Sequence, residues 1–112
     1  MPPEDKVRLQ HMIEALEAAQ RFVAGRQRQD LDSDEMLRLA LTRALEVVGE
    51  AAGRVSRATR ARAPDIPWRQ LAGMRNRLIH AYFDVDRAIV WNTANRDVPE
   101  VLAKVRLLLE ES

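Results

Sequence analysis

Apolar residues recur along this chain at three- and four-residue steps almost from end to end, the period of helices that bury one face. Leu9, Ile13, Leu16, Gln20 and Val23 fall on one stripe, which predicts a helix over about 4–24. Ala15, Ala18, Ala19 and Phe22 form a second, smaller apolar face, so this helix has a core to touch and a further surface besides. Gly25 supplies a C-terminal stop. The polar stretch 26–34 offers Asp30, Asp32, Ser33 and Asp34 as helix caps. Leu37, Leu41, Ala44, Val48, Ala52 and Val55 then define the seam of a long helix over about 34–60. Leu39, Arg43, Glu46, Glu50 and Arg57 lie on its opposite face.

Pro64 and Pro67 break the pattern at 63–67. A third helix is expected over about 67–83, with Pro67 in its first turn. Asp84, Val85 and Asp86 read as a break with a new N-cap, followed by a short helix over 87–93. Asn95 and Asp97 mark another turn, and Pro99 opens a last helix that reaches about 110 with Val101, Val105, Leu108 and Leu109 on its apolar face. No strand-like alternation or hairpin signal stands out. The expected fold class is all-α, a bundle of four longer helices and one short one.

A chain of 112 residues has the size of one domain, here 1–112. The absence of cysteine excludes a disulfide framework and a thiolate metal site. His11 and His80 are the only histidines, too few for a zinc site within one chain, and no cofactor is expected. No phosphate-binding glycine loop is present. Apolar runs such as Leu107, Leu108 and Leu109 fall far short of the ~20 residues of a membrane span. The first five residues carry no signal-peptide pattern. The expectation is a soluble cytoplasmic protein with no membrane partner.

The net charge of +1 conceals an uneven distribution. Residues 54–80 carry seven arginines against Asp65 alone, a net of +6, while 1–53 sum to −3 and 81–112 to −2. A basic centre between acidic ends fits a polyanion, and it equally fits arginine on solvated helix faces.

The segment Trp68 to Phe83 holds the candidate chemistry. On a continuous helical wheel with Arg75 at zero, Trp68, Leu71, Leu78, Ile79 and Tyr82 all fall within about 60° of it. Arg75 then lies in the apolar stripe, while Arg69 and Arg77 lie on the polar side. An arginine so placed needs a carboxylate such as Glu46 or Glu50, a route past Trp68 to solvent, or an anionic ligand. Asn76 and His80 stand at i, i+4 spacing, where they can hydrogen-bond. Arginine stabilises phosphate charge and histidine moves protons near pH 7. The same wheel leaves Arg75 and His80 about 140° apart, so a site using both draws on more than one helix face.

The run Met74-Arg75-Asn76-Arg77-Leu78-Ile79-His80-Ala81-Tyr82-Phe83 resembles the R-x4-H-x-Y motif of HepT-like toxins of the HEPN superfamily. Asp84-Val85-Asp86, Ile89-Val90-Trp91 and Val98-Pro99 resemble the family's tail. The resemblance covers the chain in length and helix order. It implies a HEPN-like helical bundle that forms a twofold dimer. It implies a metal-independent endoribonuclease whose Arg75 and His80 line a cleft between protomers, with Asn76 as the supporting polar residue. It also implies a cognate MntA-like nucleotidyltransferase antitoxin that transfers AMP to Tyr82. Arg57, Arg69 and Arg77 could extend a basic rim for RNA. The alternative is a HEPN partner that docks a nucleotidyltransferase, or presents substrate to it, without cleaving anything.

Overall fold

The computed structural model describes residues 1–81 and 84–112. The first apolar stripe becomes α1, Pro3–Val23, which buries Leu9, Met12, Ile13, Leu16 and Ala19. Pro3 sits in its first turn, where no intrahelical donor is needed. The helix ends just before Gly25, whose φ of 72° is a left-handed conformation that glycine adopts without steric cost. A single turn, α2 (Asp30–Ser33), crosses the polar linker and buries Leu31. Asp34 then caps α3 (Glu35–Gly53), its Oδ1 accepting the Leu37 N–H at 3.0 Å. The α3 seam of Leu37, Leu41, Ala44, Leu45, Val48 and Ala52 packs along α1.

The long helix expected to reach residue 60 stops at Gly53, and a separate turn, α4 (Arg57–Ala61), follows. A polar anchor explains the break. Asp5, only 3% exposed, accepts the Ser56 N–H at 3.0 Å and the hydroxyls of Ser56 and Thr59 at 2.5 Å each. Ser56 is thereby held in the extended conformation of an N-cap, and its own hydroxyl faces the Thr59 N–H. Burial alone would raise the Asp5 carboxyl, but the bonds from Ser56 and Thr59 outweigh it and hold its pKa below the ordinary 3.8. A carboxyl depressed in the folded state stabilises the fold above its unfolded pKa and loses that contribution as pH falls through the folded value. The unfolding temperature should therefore fall on acidification below about pH 4, with a shallower slope in Asp5→Asn. That variant should also be roughly 1–2 kcal/mol less stable at neutral pH, since an amide cannot accept all three bonds. Equal slopes in the two proteins would contradict this assignment.

The segment after Pro67 is not one helix. It forms α5 (Trp68–Ala72) and α6 (Met74–Leu78), separated at Gly73, and then leaves the helical path. Residues Ile79–Ala81 make β1, which pairs antiparallel with β2 (Asp84–Val85), Ile79 opposite Val85. The Leu78 carbonyl, which a further helical turn would have used, accepts the Asp86 N–H at 2.7 Å instead. β-Branched Ile79 suits the extended backbone it adopts there.

The expected break at Asn95 and Asp97 is likewise absent. After α7 (Arg87–Asn92), a π turn (Thr93–Asp97) runs directly into α8 (Val98–Glu110). The Val98 N–H reaches back five residues to the Thr93 carbonyl, so the turn absorbs one extra residue without interrupting the rod.

The fold is thus mostly helical. α1 packs against α3 and α8, and α5 crosses α3. The crossing is close at Gly49, where a Cβ would lie 2.4 Å from the Leu71 carbonyl oxygen and 3.0 Å from the Met74 Cβ. Among the described residues, no helix is long and apolar enough to cross a membrane.

Candidate active site

Trp68, Leu71, Met74 and Leu78 are the residues that α5 and α6 bury. Within α6 the buried pair Met74 and Leu78 is centred about 80° from Arg75, and Ile79, on β1, no longer extends the helix. Arg75 is consequently not an apolar-face arginine. Its side chain is 79% exposed, with Nε 3.9 Å from Oε2 of Glu46, itself only 15% exposed. Glu46 was one of two partners expected; Glu50 pairs with Arg43 instead, at 3.0 Å. A 3.9 Å contact is an ion pair and not a hydrogen bond, so it orients the guanidinium without occupying its donors.

His80 lies on β1, just past the end of α6, with its side chain 55% exposed. No bond joins it to Asn76, which is exposed on α6; their i, i+4 spacing requires a helix that ends at Leu78. The partner of His80 is Asp86, whose Oδ2 lies 3.1 Å from Nε2. The other oxygen of Asp86 accepts the Ile89 N–H at 3.0 Å and caps α7. The Ile89 N–H first, and His80 second, hold the Asp86 carboxyl below its ordinary pKa. Sequence reasoning found Asp86 only as a cap. Its second role depends on the β1–β2 hairpin, which folds residue 86 back beside residue 80 and leaves no periodic trace in so short a stretch.

Of the expected basic rim, Arg69 and Arg77 project from α5 and α6 into solvent, as Arg75 does beside them. Arg77 also borders a cavity of about 390 Å³ between these helices and α8, together with Gln70, Met74, Asp97 and Lys104. Arg57 is exposed on α4, beside the Asp5 anchor, and not on the motif elements. Tyr82 lies outside the described residues. On the second face of α1, Ala19 is fully buried in the core, while Ala15, Ala18 and Phe22 line an open groove of about 420 Å³ against Ala44 and Val47 of α3.

The site therefore offers an exposed guanidinium, an imidazole tethered to a carboxylate, and a basic surface around them. The ribonuclease HepT-like family matches residues 12–108, a span that contains all of these groups. The chain belongs to that family. It is 37% identical over 100 residues to a Thermococcus cleftensis protein named probable ribonuclease HepT, covering 89% of this chain and 91% of the other. A candidate RNase of Caldanaerobacter subterraneus subsp. tengcongensis is 34% identical over 103 residues, 92% of each chain. A candidate RNase of Methanocaldococcus jannaschii is 33% identical over 112 residues, 99% of this chain and 93% of the other. No solved structure matches. Arg75 and His80, both inside that span, are largely exposed, where a polynucleotide can reach them.

Proposed function

We propose that this HepT-like ribonuclease is the toxin of a two-component system. It is a dimeric endonuclease that cleaves RNA in the cytoplasm without a metal ion, and AMP transfer to Tyr82 by an MntA-like nucleotidyltransferase silences it. The observation that carries the reading is an exposed Arg75 and an exposed, carboxylate-tethered His80 at the end of α6, in a chain matched by the family over 12–108.

The chemistry is transesterification. His80 takes the proton from the ribose 2′-hydroxyl, and the freed oxygen attacks the adjacent phosphorus. Arg75 binds the phosphorane charge through two N–H donors. The bond to the 5′-oxygen breaks, and that oxygen takes up a proton, leaving a 2′,3′-cyclic phosphate and a 5′-hydroxyl. One chain carries one motif histidine. A twofold dimer supplies a second, so that base and acid are separate groups. The open α1–α3 groove at Ala15, Ala18 and Phe22 supports such an interface. Arg69 and Arg77 lie ready for flanking phosphates, and Asn76, exposed beside Arg75, is a supporting donor. Arg57 is the least suited of the three rim arginines.

The test is expression of the chain alone, with RNA integrity followed against His80→Ala. Cleavage by the wild type that the variant lacks supports the nuclease. An intact RNA pool in both would leave the non-catalytic partner as the better reading. Sedimentation at micromolar concentration should show a dimer; an active monomer would remove the two-histidine mechanism.

Control by Tyr82 has its own check. A phenol with a pKa near ~10 is a poor catalyst at pH 7, and its oxygen is a suitable acceptor for a transferred nucleotide. A phosphate placed two residues from His80 would compete with RNA for Arg75. Tyr82→Phe should cleave RNA as well as wild type and escape silencing. Intact mass after incubation with the nucleotidyltransferase and ATP should rise by one AMP in wild type and not in the variant. The same rise in both proteins would rule out Tyr82 as the acceptor.

A further inference from the structure

We infer that Asp86 is a positioning residue for His80, fixing which ring nitrogen is bare and therefore which one can take a proton from RNA. The inference rests on the reading of His80 as the proton-transfer group. A carboxylate only accepts hydrogen bonds, and its Oδ2 lies 3.1 Å from Nε2. The neutral imidazole must then carry its proton on Nε2. Nδ1 is left with its lone pair and serves as the base. When it picks up a proton, the Asp86 charge lies against the imidazolium and stabilises it.

What makes this a built arrangement is that Asp86 is fixed on every side. Its Oδ1 holds the Ile89 N–H at 3.0 Å, and its backbone N–H holds the Leu78 carbonyl at 2.7 Å. The end of α6, the hairpin and the start of α7 thus share one residue. Other charges on the elements packed here are Arg75 and Arg77 on α6, Asp84 on β2 and Arg87 on α7. Arg87 is engaged by Asp32 of α2 at 2.7 Å. Among the described residues, Asp86 is the carboxylate within ion-pair distance of His80.

Asp86→Asn separates the tether from the cap. Asparagine caps helices about as well as aspartate, so α7 should hold. Its amide, however, donates to Nε2 and forces the proton onto Nδ1. Nitrogen-15 NMR of the wild-type protein should show neutral His80 protonated on Nε2. In Asp86→Asn the tautomer should reverse. Cleavage should drop roughly ten- to hundredfold in kcat, with KM little changed. A wild-type tautomer with the proton on Nδ1 overturns the inference without any variant being needed. An unchanged tautomer in Asp86→Asn, or a reversed tautomer with full kcat, overturns it as well. Survival of cleavage in His80→Ala would instead remove the role of His80 in the reaction, which the tautomer measurement does not touch.

Discussion

His80→Ala and Arg75→Ala should each abolish detectable RNA cleavage, while both proteins should unfold close to the wild-type temperature. The loss should reach ~10²–10⁴-fold for the histidine, the range of a general acid or base. For the arginine it should reach ~10²–10³-fold, the range of a group that holds transition-state charge. Stability should hold because neither side chain belongs to the core: both are largely exposed, and their ion pairs are with the rims of neighbouring elements. Arg75→Lys should recover little, since an ammonium keeps the charge and loses the planar pair of donors. Cleavage should persist in EDTA. Rate measurements on a short oligoribonucleotide, paired with thermal unfolding, check all four. Full activity in His80→Ala, or loss of wild-type activity with the chelator, would end this mechanism.

Gly49→Ala should damage both the fold and the site. Alanine normally strengthens a helix relative to glycine by ~0.5–1 kcal/mol. Here the methyl would lie 2.4 Å from the Leu71 carbonyl oxygen, a backbone atom that cannot rotate away. α5 must move off α3 by roughly 1 Å to restore contact distance, opening the core between them. A net loss of about 2–3 kcal/mol is expected, together with slower cleavage, because α6 and Arg75 travel with α5. Gly53→Ala is the control. Its new methyl would meet only the Ala72 Cβ, at 3.8 Å, an ordinary contact. That variant should be as stable as wild type or slightly more so. Urea unfolding of the two proteins side by side decides the matter, and equal midpoints would show that the crossing yields without cost.

The long helices were legible because a buried stripe repeated over four or more turns leaves a period in the sequence. α1 and α8 fall within a residue or two of their expected ends. Short elements leave no such period. α5 and α6 are five residues each, and the wheel that merged them with the residues after Leu78 placed Arg75 in the apolar stripe and His80 within bonding reach of Asn76. Local signals did better than extrapolated ones. Asp34 and Asp86 cap helices as read, whereas Ser56 was placed inside the long helix, because the sequence does not say that Asp5, fifty-one residues away, supplies the anchor that ends α3. The motif residues were found through their spacing and a family resemblance. Asp86 beside His80 was not, because only the hairpin makes them neighbours.

The π turn at Thr93–Asp97 bears on how this chain can change in length. Loss of one residue there would let α7 and α8 fuse into an ordinary helix with better internal bonding. The part before the deletion would then rotate by about 100° and shift by about 1.5 Å relative to α8. Asp86 stands at the head of that part, and the acid would swing away from the imidazole it holds. A change of length next to Gly25 has no such continuous rod to rotate, because α1 ends at Val23 and α3 starts afresh at Glu35. A deletion of equal size near residue 95 would instead turn Val90 out of the core and part Asp86 from His80.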